Sequence, residues 1–383
     1  MQTYCFFSAQ YLPTSGGVER YTFNMAKELI RRGNSVIVVT SILPGMPEFE
    51  VDQHGIKIFR IPACILLNGR MPVSYPLLKW KIVCSQLNTL KITRIVIQTR
   101  LYTLSLMGMH YAKSHDIPFI TIEHGTSYVG MKNPILRFLE KSYEDILMSF
   151  AKKWCKAFFC VSQAGTEWLK HFDIVTCGVL YNSVDDLAIQ NYLADETDDI
   201  RKKFALNEDA KIVAFVGRLI PEKGIKQLVE AIHEINPSSS LYLFIAGDGP
   251  LYKELKQMNY SNIYLLGNLP QAEIMTLLHQ SNMFCLPSDS EGFPTSVLEA
   301  VLCHCYVITT PFGGAKELIC SAKYGKIINN NSKQEIKDSI LCAISSLESC
   351  KASADNAFKR FYLYFTWEKT CDAIEDIPWE DIL

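Results

Sequence analysis

The chain has 383 residues, more than the roughly 250–300 that one hydrophobic core holds, which points to two domains. Hydrophobic residues make up 48% and charged residues 20%, and 38 basic side chains stand against 40 acidic ones for a net charge of −2. That balance excludes disordered, collagen-like and coiled-coil chains, and it lacks the basic excess of a generic nucleic-acid binder.

Short apolar runs alternate with helical patterns along the chain, the signature of parallel α/β layers. In the first half, strands are predicted over 3–8, 35–40, 56–61, 94–98, 118–122 and 157–161. After the first comes Pro13-Thr14-Ser15-Gly16-Gly17-Val18-Glu19, opening a helix over 18–32 that a basic last turn and Gly33 close. Gly16 and Gly17 fit either close approach of the backbone to an anion at a helix N-terminus or a plain tight turn. No Asp or Glu occurs between Asp52 and Asp116, 63 residues that hold Lys57, Arg60, Arg70, Lys79, Lys81, Lys91, Arg94, Arg100 and Lys113. This stretch reads as chance on a buried sheet face, or as a surface that meets anionic lipid or a phosphate-bearing substrate. Within it, 65–81 mixes apolar, aromatic and basic residues as peripheral membrane segments do. Strand 118–122 ends in Glu123-His124-Gly125; a lone His is more often structural, but one at a strand terminus before Gly points to a substrate contact. A second membrane candidate is 135–154, where Ile135, Leu139, Ile146, Leu147, Phe150 and Trp154 fall at helical spacing ahead of Lys152 and Lys153. Its simpler reading is an ordinary helix packed on the sheet.

Around 186–209 the sequence turns polar and acidic, and a second alternation then begins. Strands are predicted over 211–216, 241–246, 262–266, 283–286, 305–309 and 325–328, with helices near 224–235, 250–258, 271–281 and 294–302. Residues 1–190 carry 20 basic and 14 acidic side chains, and residues 191–383 carry 18 and 26. The arrangement implies two Rossmann-like domains, 1–185 and 210–351, joined by a linker over 186–209, with the cleft between them as the default ligand site. Gly217-Arg218-Leu219-Ile220-Pro221-Glu222-Lys223-Gly224 places two cations on one strand-to-helix loop, as a diphosphate clamp requires; the alternative is a solvated loop with Glu222 paired to Lys223. Gly247-Asp248-Gly249-Pro250 reads first as a turn and second as lining of a nucleotide pocket. In Pro287-Ser288-Asp289-Ser290-Glu291-Gly292-Phe293-Pro294-Thr295-Ser296-Val297-Leu298-Glu299, Pro294 marks a helix start, so the amides of Thr295 and Ser296 are free for an anion. Glu291 and Glu299 bracket that position, and a carboxylate suits a vicinal diol, so one could hold a ribose and the other a sugar. An acidic first turn complementing the helix dipole is the plainer reading.

The 13 cysteines are scattered without a CxxC pair, and Cys303 and Cys305 are poorly spaced for zinc. Neither a charged-then-apolar leader nor an apolar run approaching 18 residues is present, so the expectation is a reduced, cytoplasmic chain whose membrane contact is peripheral.

Taken together, Gly16-Gly17, Glu123-His124-Gly125, Val161-Ser162, Asn182-Ser183-Val184-Asp185, Gly217-Arg218 with Glu222-Lys223-Gly224, Gly247-Asp248-Gly249-Pro250, and Glu291 paired with Glu299 resemble the GT-B glycosyltransferases of family 4, from about residue 4 to Phe365-Thr366-Trp367-Glu368. The resemblance implies two Rossmann-like domains facing each other across a cleft, with 352–383 as a helical segment returning to the first. It implies transfer of a hexosyl unit from a nucleotide-sugar, UDP-linked by family frequency, with retention of anomeric configuration. By position, Arg218 and Lys223 would bind the donor diphosphate and stabilise it as it leaves. Glu291, with Gly292 and Phe293, would contact the transferred sugar. Thr295 and Ser296 would touch phosphate, Glu299 would hold the ribose, and Gly247 would line the donor pocket. His124 would contact the sugar ring, and Gly16 and Gly17 would close on phosphate and acceptor. No metal or cofactor is implied. The acceptor implied is a saccharide, carried on a polyprenyl diphosphate at the inner face of a bacterial membrane, in capsule, O-antigen or lipopolysaccharide synthesis; no nucleic acid is involved. The competing readings are a nucleotide-sugar epimerase of the same architecture and a non-catalytic nucleotide-sugar-binding scaffold. His304 and Tyr306 depart from the family, which has Gly and Pro there, and should alter a turn below the donor pocket.

Overall fold

A computed structural model describes residues 1–14, 16–66, 71–75, 78–100, 102–128, 134–194, 199–235 and 240–382. The chain divides into two compact units, Met1–Asn182 with Trp367–Leu383, and Ser183–Thr366.

The first unit is built on strands β1 (Thr3–Phe7), β2 (Ser35–Ser41), β3 (Phe49–Val51), β4 (Lys57–Ile61), β5 (Ala63–Leu66), β6 (Met71–Ser74), β7 (Arg94–Gln98), β8 (Phe119–Glu123), β9 (Phe158–Cys160) and β10 (Gly178–Val179). Eight of them form one sheet in the order β10-β9-β8-β7-β1-β2-β4-β3, parallel except for β3. Strands covered on both faces need continuous apolar runs rather than alternation, and Tyr4, Cys5, Phe6 and Phe7 of β1 are all fully buried. The Gly17–Arg31 helix lays Tyr21, Met25, Ala26 and Leu29 against this sheet at helical spacing. Residues 367–383 close the unit. Trp367, Cys371, Ile374 and Trp379 are buried, Arg32 bonds Glu375 (2.8 Å) and Asp372 (2.9 Å), and Trp379 stands edge-on to Tyr4 with Arg94 over both rings.

The second unit holds β11 (Lys211–Val216), β12 (Leu241–Ala246), β13 (Ile263–Gly267), β14 (Met283–Leu286), β15 (Tyr306–Thr309) and β16 (Lys326–Ile327). They form a parallel sheet in the order β13-β12-β11-β14-β15-β16. The direction of strand addition reverses between β11 and β14, so the loops leaving those two strands open a crevice at their carboxyl ends. In the first unit the same reversal lies between β1 and β7.

Four features differ from the sequence expectations. The 186–209 segment is not an extended linker: it contains helices Asp186–Ala194 and Ile200–Lys203 and belongs to the second unit, with 195–198 outside the described residues. The return to the first unit starts at Trp367 rather than at 352, because the Leu347–Tyr364 helix buries Cys350, Ala354, Ala357 and Phe361 within the second unit. The 65–81 segment forms part of the β5–β6 antiparallel hairpin and the start of the Leu78–Leu87 helix, while 67–70 and 76–77 lie outside the described residues. The acid-free stretch is no uniform cationic surface. Arg60 is buried against Glu50, Lys79 pairs with Glu48, Arg94 lies over aromatic rings and Arg100 is buried between two carboxylates; Arg70 lies outside the described residues.

Candidate functional site

In the second unit the loops leaving β11 and β14 carry the residues singled out in the sequence. Arg218 leaves β11 exposed; its carbonyl accepts from Ile220 N at 3.0 Å, while its guanidinium makes no hydrogen bond or ion pair among the described residues. Lys223 ends the short 3-10 turn Pro221–Lys223 and pairs with Glu291, Nζ to Oε1 at 2.5 Å, rather than with Glu222. Glu291 Oε1 also accepts from Ser288 Oγ at 2.7 Å. The two loops are tied through their backbones, Asp289 N donating to Glu222 O at 2.8 Å. A cation and a carboxylate from different strand ends are thus held together where the crevice opens.

The Thr295–Leu302 helix starts after Pro294, with Thr295 and Ser296 half-buried and no side chain capping its first amides. Glu299 is buried within it and accepts from Gln271 Nε2 at 2.9 Å. Phe293 is buried ahead of the helix, its ring 5.5 Å from that of Phe365. Gly247 leaves β12 on the next loop, where Leu219 N donates to Asp248 O at 2.9 Å.

Gly313 and Gly314, which sequence reasoning passed over, clamp the Glu291 loop. Gly313 has φ +61, and a Cβ there would strike the carbonyl oxygens of Glu291 and Gly292; a Cβ on Gly314 would enter the Phe293 ring. Gly314 N donates to Gly292 O at 2.8 Å. The Gly-Gly pair after a predicted strand at 305–309 is the same signal that marked Gly16-Gly17. His304 takes φ +55, the left-handed conformation that a glycine adopts freely. Its Nδ1 lies 2.7 Å from Asp355 Oδ1 and its ring stacks on Phe358. Tyr306 simply begins β15.

In the first unit, Gly16 N-caps the Gly17–Arg31 helix in an extended conformation, and Ser15 lies outside the described residues. The buried Glu19 carboxyl folds back over Gly16, where a Cβ would collide with it, and burial pushes its pKa up. Gly17 is exposed with open space above it.

His124 follows β8 and is half-buried. Its Nε2 lies 2.6 Å from Gln98 Oε1, which places the ring proton on Nε2 and leaves Nδ1 as an acceptor. The Tyr21 ring stands edge-on to it with centroids 4.7 Å apart. The protein packed around the ring pulls its pKa down to about 4, against a weaker upward pull from Glu123. His124 is therefore neutral near pH 7. Three buried polar atoms at and just after the end of β7, Gln98 Nε2, Thr99 Oγ1 and Thr103 Oγ1, have no hydrogen-bond partner among the described residues, and Thr99 holds φ +61. Unpaired polar atoms and strained backbone gather where ligands complete the hydrogen bonding.

Two family models match the chain: "Glycosyltransferase Family 4" over residues 15–186 and "Glycosyl transferases group 1" over 196–360. A Bacillus subtilis glycosyltransferase named for teichuronic acid biosynthesis, TuaC, is 35% identical over 306 residues, covering 77% of this chain and 72% of that one. The GPI3 component of yeast (Saccharomyces cerevisiae) phosphatidylinositol N-acetylglucosaminyltransferase is 24% identical over 319 residues, covering 81% of this chain and 68% of its own. Among solved structures, Anabaena HepE in complex with UDP-glucose superposes with a TM-score of 0.75 at 17% identity, covering 98% of this chain and 99% of that one.

Proposed function

Because the chain belongs to the GT-B glycosyltransferases of family 4, we propose that it is a retaining hexosyltransferase that takes its sugar from a UDP-sugar and adds it to a lipid-diphosphate-linked saccharide in bacterial surface polysaccharide synthesis. The observation that carries this reading is the Lys223–Glu291 pair at the strand reversal of the second unit, with Arg218 exposed on the same loop as Lys223. When the glycosidic bond breaks, negative charge grows on the departing diphosphate, and positioned cations lower the barrier by meeting that charge. Arg218 supplies a forked donor and Lys223 a point charge, so the leaving group needs no metal. In the structure Lys223 is held by Glu291; a diphosphate gives Lys223 a stronger anionic partner and frees the carboxylate to accept from sugar hydroxyls. In this reading Glu299, which accepts from Gln271, takes the ribose diol, and the first amides of its helix take phosphate.

His124 Nδ1 accepts from a sugar hydroxyl, and the polar atoms at the end of β7 that lack a partner among the described residues suit a hydroxyl-rich acceptor. The relatives' names support the finer parts: HepE was captured with UDP-glucose, TuaC is named for a surface polymer, and the yeast relative for a lipid. Among the described residues no helix is long and apolar enough to cross a membrane. Contact with anionic lipid at the inner face falls instead to the Pro134–Trp154 helix, which packs Leu147, Met148 and Ala151 inward yet exposes Ile135, Phe138, Leu139, Ile146 and Phe150 beside Arg137, Lys141 and Lys153.

A thermal-shift panel of UDP, GDP, ADP, CDP and TDP, each with and without EDTA, tests the donor site. UDP at about a hundred times its dissociation constant should add roughly 2.7 kcal/mol of stability, with or without EDTA. Glu291→Ala should keep that shift while transfer falls by at least about a hundredfold. A shift from none of the five would overturn the donor assignment, and full transfer by Glu291→Ala would overturn the role of that carboxylate.

A further inference from the structure

The least economical feature of the first unit is a charge triad buried beneath His124. Arg100, Glu123 and Glu144 are 1%, 2% and 2% exposed. Arg100 Nη2 donates to Glu144 Oε2 at 2.9 Å, while Nη1 lies 2.7 Å from Glu123 Oε2 as a charge contact off the N–H axis. Its guanidinium sits over the rings of Trp168 (5.7 Å) and Phe172 (5.3 Å). Burial favours the neutral guanidine, but the two carboxylates outweigh it and hold Arg100 charged. Desolvating such ions costs several kcal/mol each, and apolar residues of similar volume often stabilise a fold as well or better. Packing alone therefore does not account for three charges at this place.

What the triad does locally is fix one turn. Glu123 divides its two oxygens: Oε2 faces Arg100, while Oε1 accepts from His124 N (3.0 Å) and Gly125 N (2.7 Å). Those bonds set the direction in which the chain leaves β8 and thus where the imidazole stands. A carboxylate free to rotate could not hold both amides, and Arg100 removes that freedom. Glu144 in turn fixes Arg100, and it lies on the Pro134–Trp154 helix, whose opposite face is exposed. The ring itself is braced by Gln98 and Tyr21.

We propose that Arg100, Glu123 and Glu144 act as positioning residues for His124, aiming its imidazole through the turn that Glu123 caps. This rests on the reading of His124 as a sugar contact only for its consequence in catalysis; the positioning itself is a physical statement about the free protein.

The test is an NMR pH titration of the histidine side chains in the full chain, with His124→Ala identifying the resonance. Two variants are compared with the native protein. Glu144→Leu leaves a neutral Arg100–Glu123 pair, and the triple Arg100→Met, Glu123→Leu, Glu144→Leu replaces the buried charges by apolar side chains, which keeps the fold. Either variant removes net negative charge near His124, which by electrostatics alone lowers its pKa further. The expected result is the opposite: the value climbs from about 4 toward the ordinary 6.5 as the turn loosens and water reaches the ring. In turnover with UDP-glucose, kcat should fall about tenfold or more with KM for the donor unchanged, and the loss should vanish in a His124→Ala background. A folded triple variant whose His124 pKa stays near 4 or falls overturns the positioning role. A normal climb with full activity in His124→Ala overturns the sugar-contact reading and leaves the positioning intact.

Discussion

Gly16 and Gly17 are adjacent, yet the structure gives them different reasons to be glycine. Gly16 lies under the Glu19 carboxyl, and any side chain there must displace a buried group from the first turn of the helix. Gly17 has open space above it and no unusual dihedral, so the fold makes no demand for glycine. Gly16→Ala should therefore lower stability by about 1–3 kcal/mol, whereas Gly17→Ala should be neutral or stabilising by up to about 1 kcal/mol. If phosphate or acceptor approaches this loop, Gly17→Ala should still cut kcat/KM by about tenfold or more. Denaturant unfolding and steady-state kinetics on the two variants separate the cases, and full activity in Gly17→Ala would remove this loop from the site. His304 makes the converse point. A left-handed non-glycine costs roughly 1–2 kcal/mol, and here the Asp355 bond and the Phe358 stack compensate for it. At this departure from the family the backbone thus takes the left-handed conformation that a glycine adopts freely.

At the scale of elements, the inner strands were the easiest to read, because strands buried on both faces need unbroken apolar runs; β7, β11, β12 and β14 match their predicted spans. The edge elements were not readable. β3 alternates over only 3 residues and β10 has only 2, the apolar run of β5 is 4 residues long and is followed by the mixed β6, and the Asp186–Ala194 helix buries only Ile189 behind an acidic start. Loop residues with special chemistry stood out at strand ends, whereas the Arg100–Glu123–Glu144 triad did not, since only the sheet order brings 100, 123 and 144 together. The Pro134–Trp154 helix explains why a periodicity argument alone was undecided: it has one apolar face for the core and a second for the outside. If that second face meets lipid, Phe138→Ser with Ile146→Ser should reduce partition onto vesicles of phosphatidylglycerol and phosphatidylcholine by at least about tenfold with no loss of melting temperature. Lys79→Gln should matter little, because Glu48 already engages Lys79. Unchanged vesicle binding in the double variant would take the helix out of membrane contact.

For the whole molecule, the return of 367–383 changes how the charge asymmetry is understood. Split by unit rather than by half, the first carries 21 basic and 18 acidic side chains and the second 17 and 22, because the C-terminal segment brings six acids to the first. The segment acts there as part of the core: Trp379 meets Tyr4 and Arg94, and Trp367 lies against Tyr21, which in turn braces His124. Every residue proposed for the donor site outside the Gly16–Gly17 loop and His124 falls within Ser183–Thr366. Stability of the first unit and nucleotide affinity should therefore separate. Trp379→Ala removes a large buried aromatic and should cost about 3–5 kcal/mol, visible as an earlier onset of thermal unfolding. The dissociation constant for UDP, measured by calorimetry below that onset, should stay within about twofold, since a change of 1.4 kcal/mol would already be tenfold. A tenfold weakening in the folded variant would mean that the nucleotide draws on the first unit for its binding energy, and the diphosphate clamp of Arg218 and Lys223 would no longer suffice as the account of donor recognition.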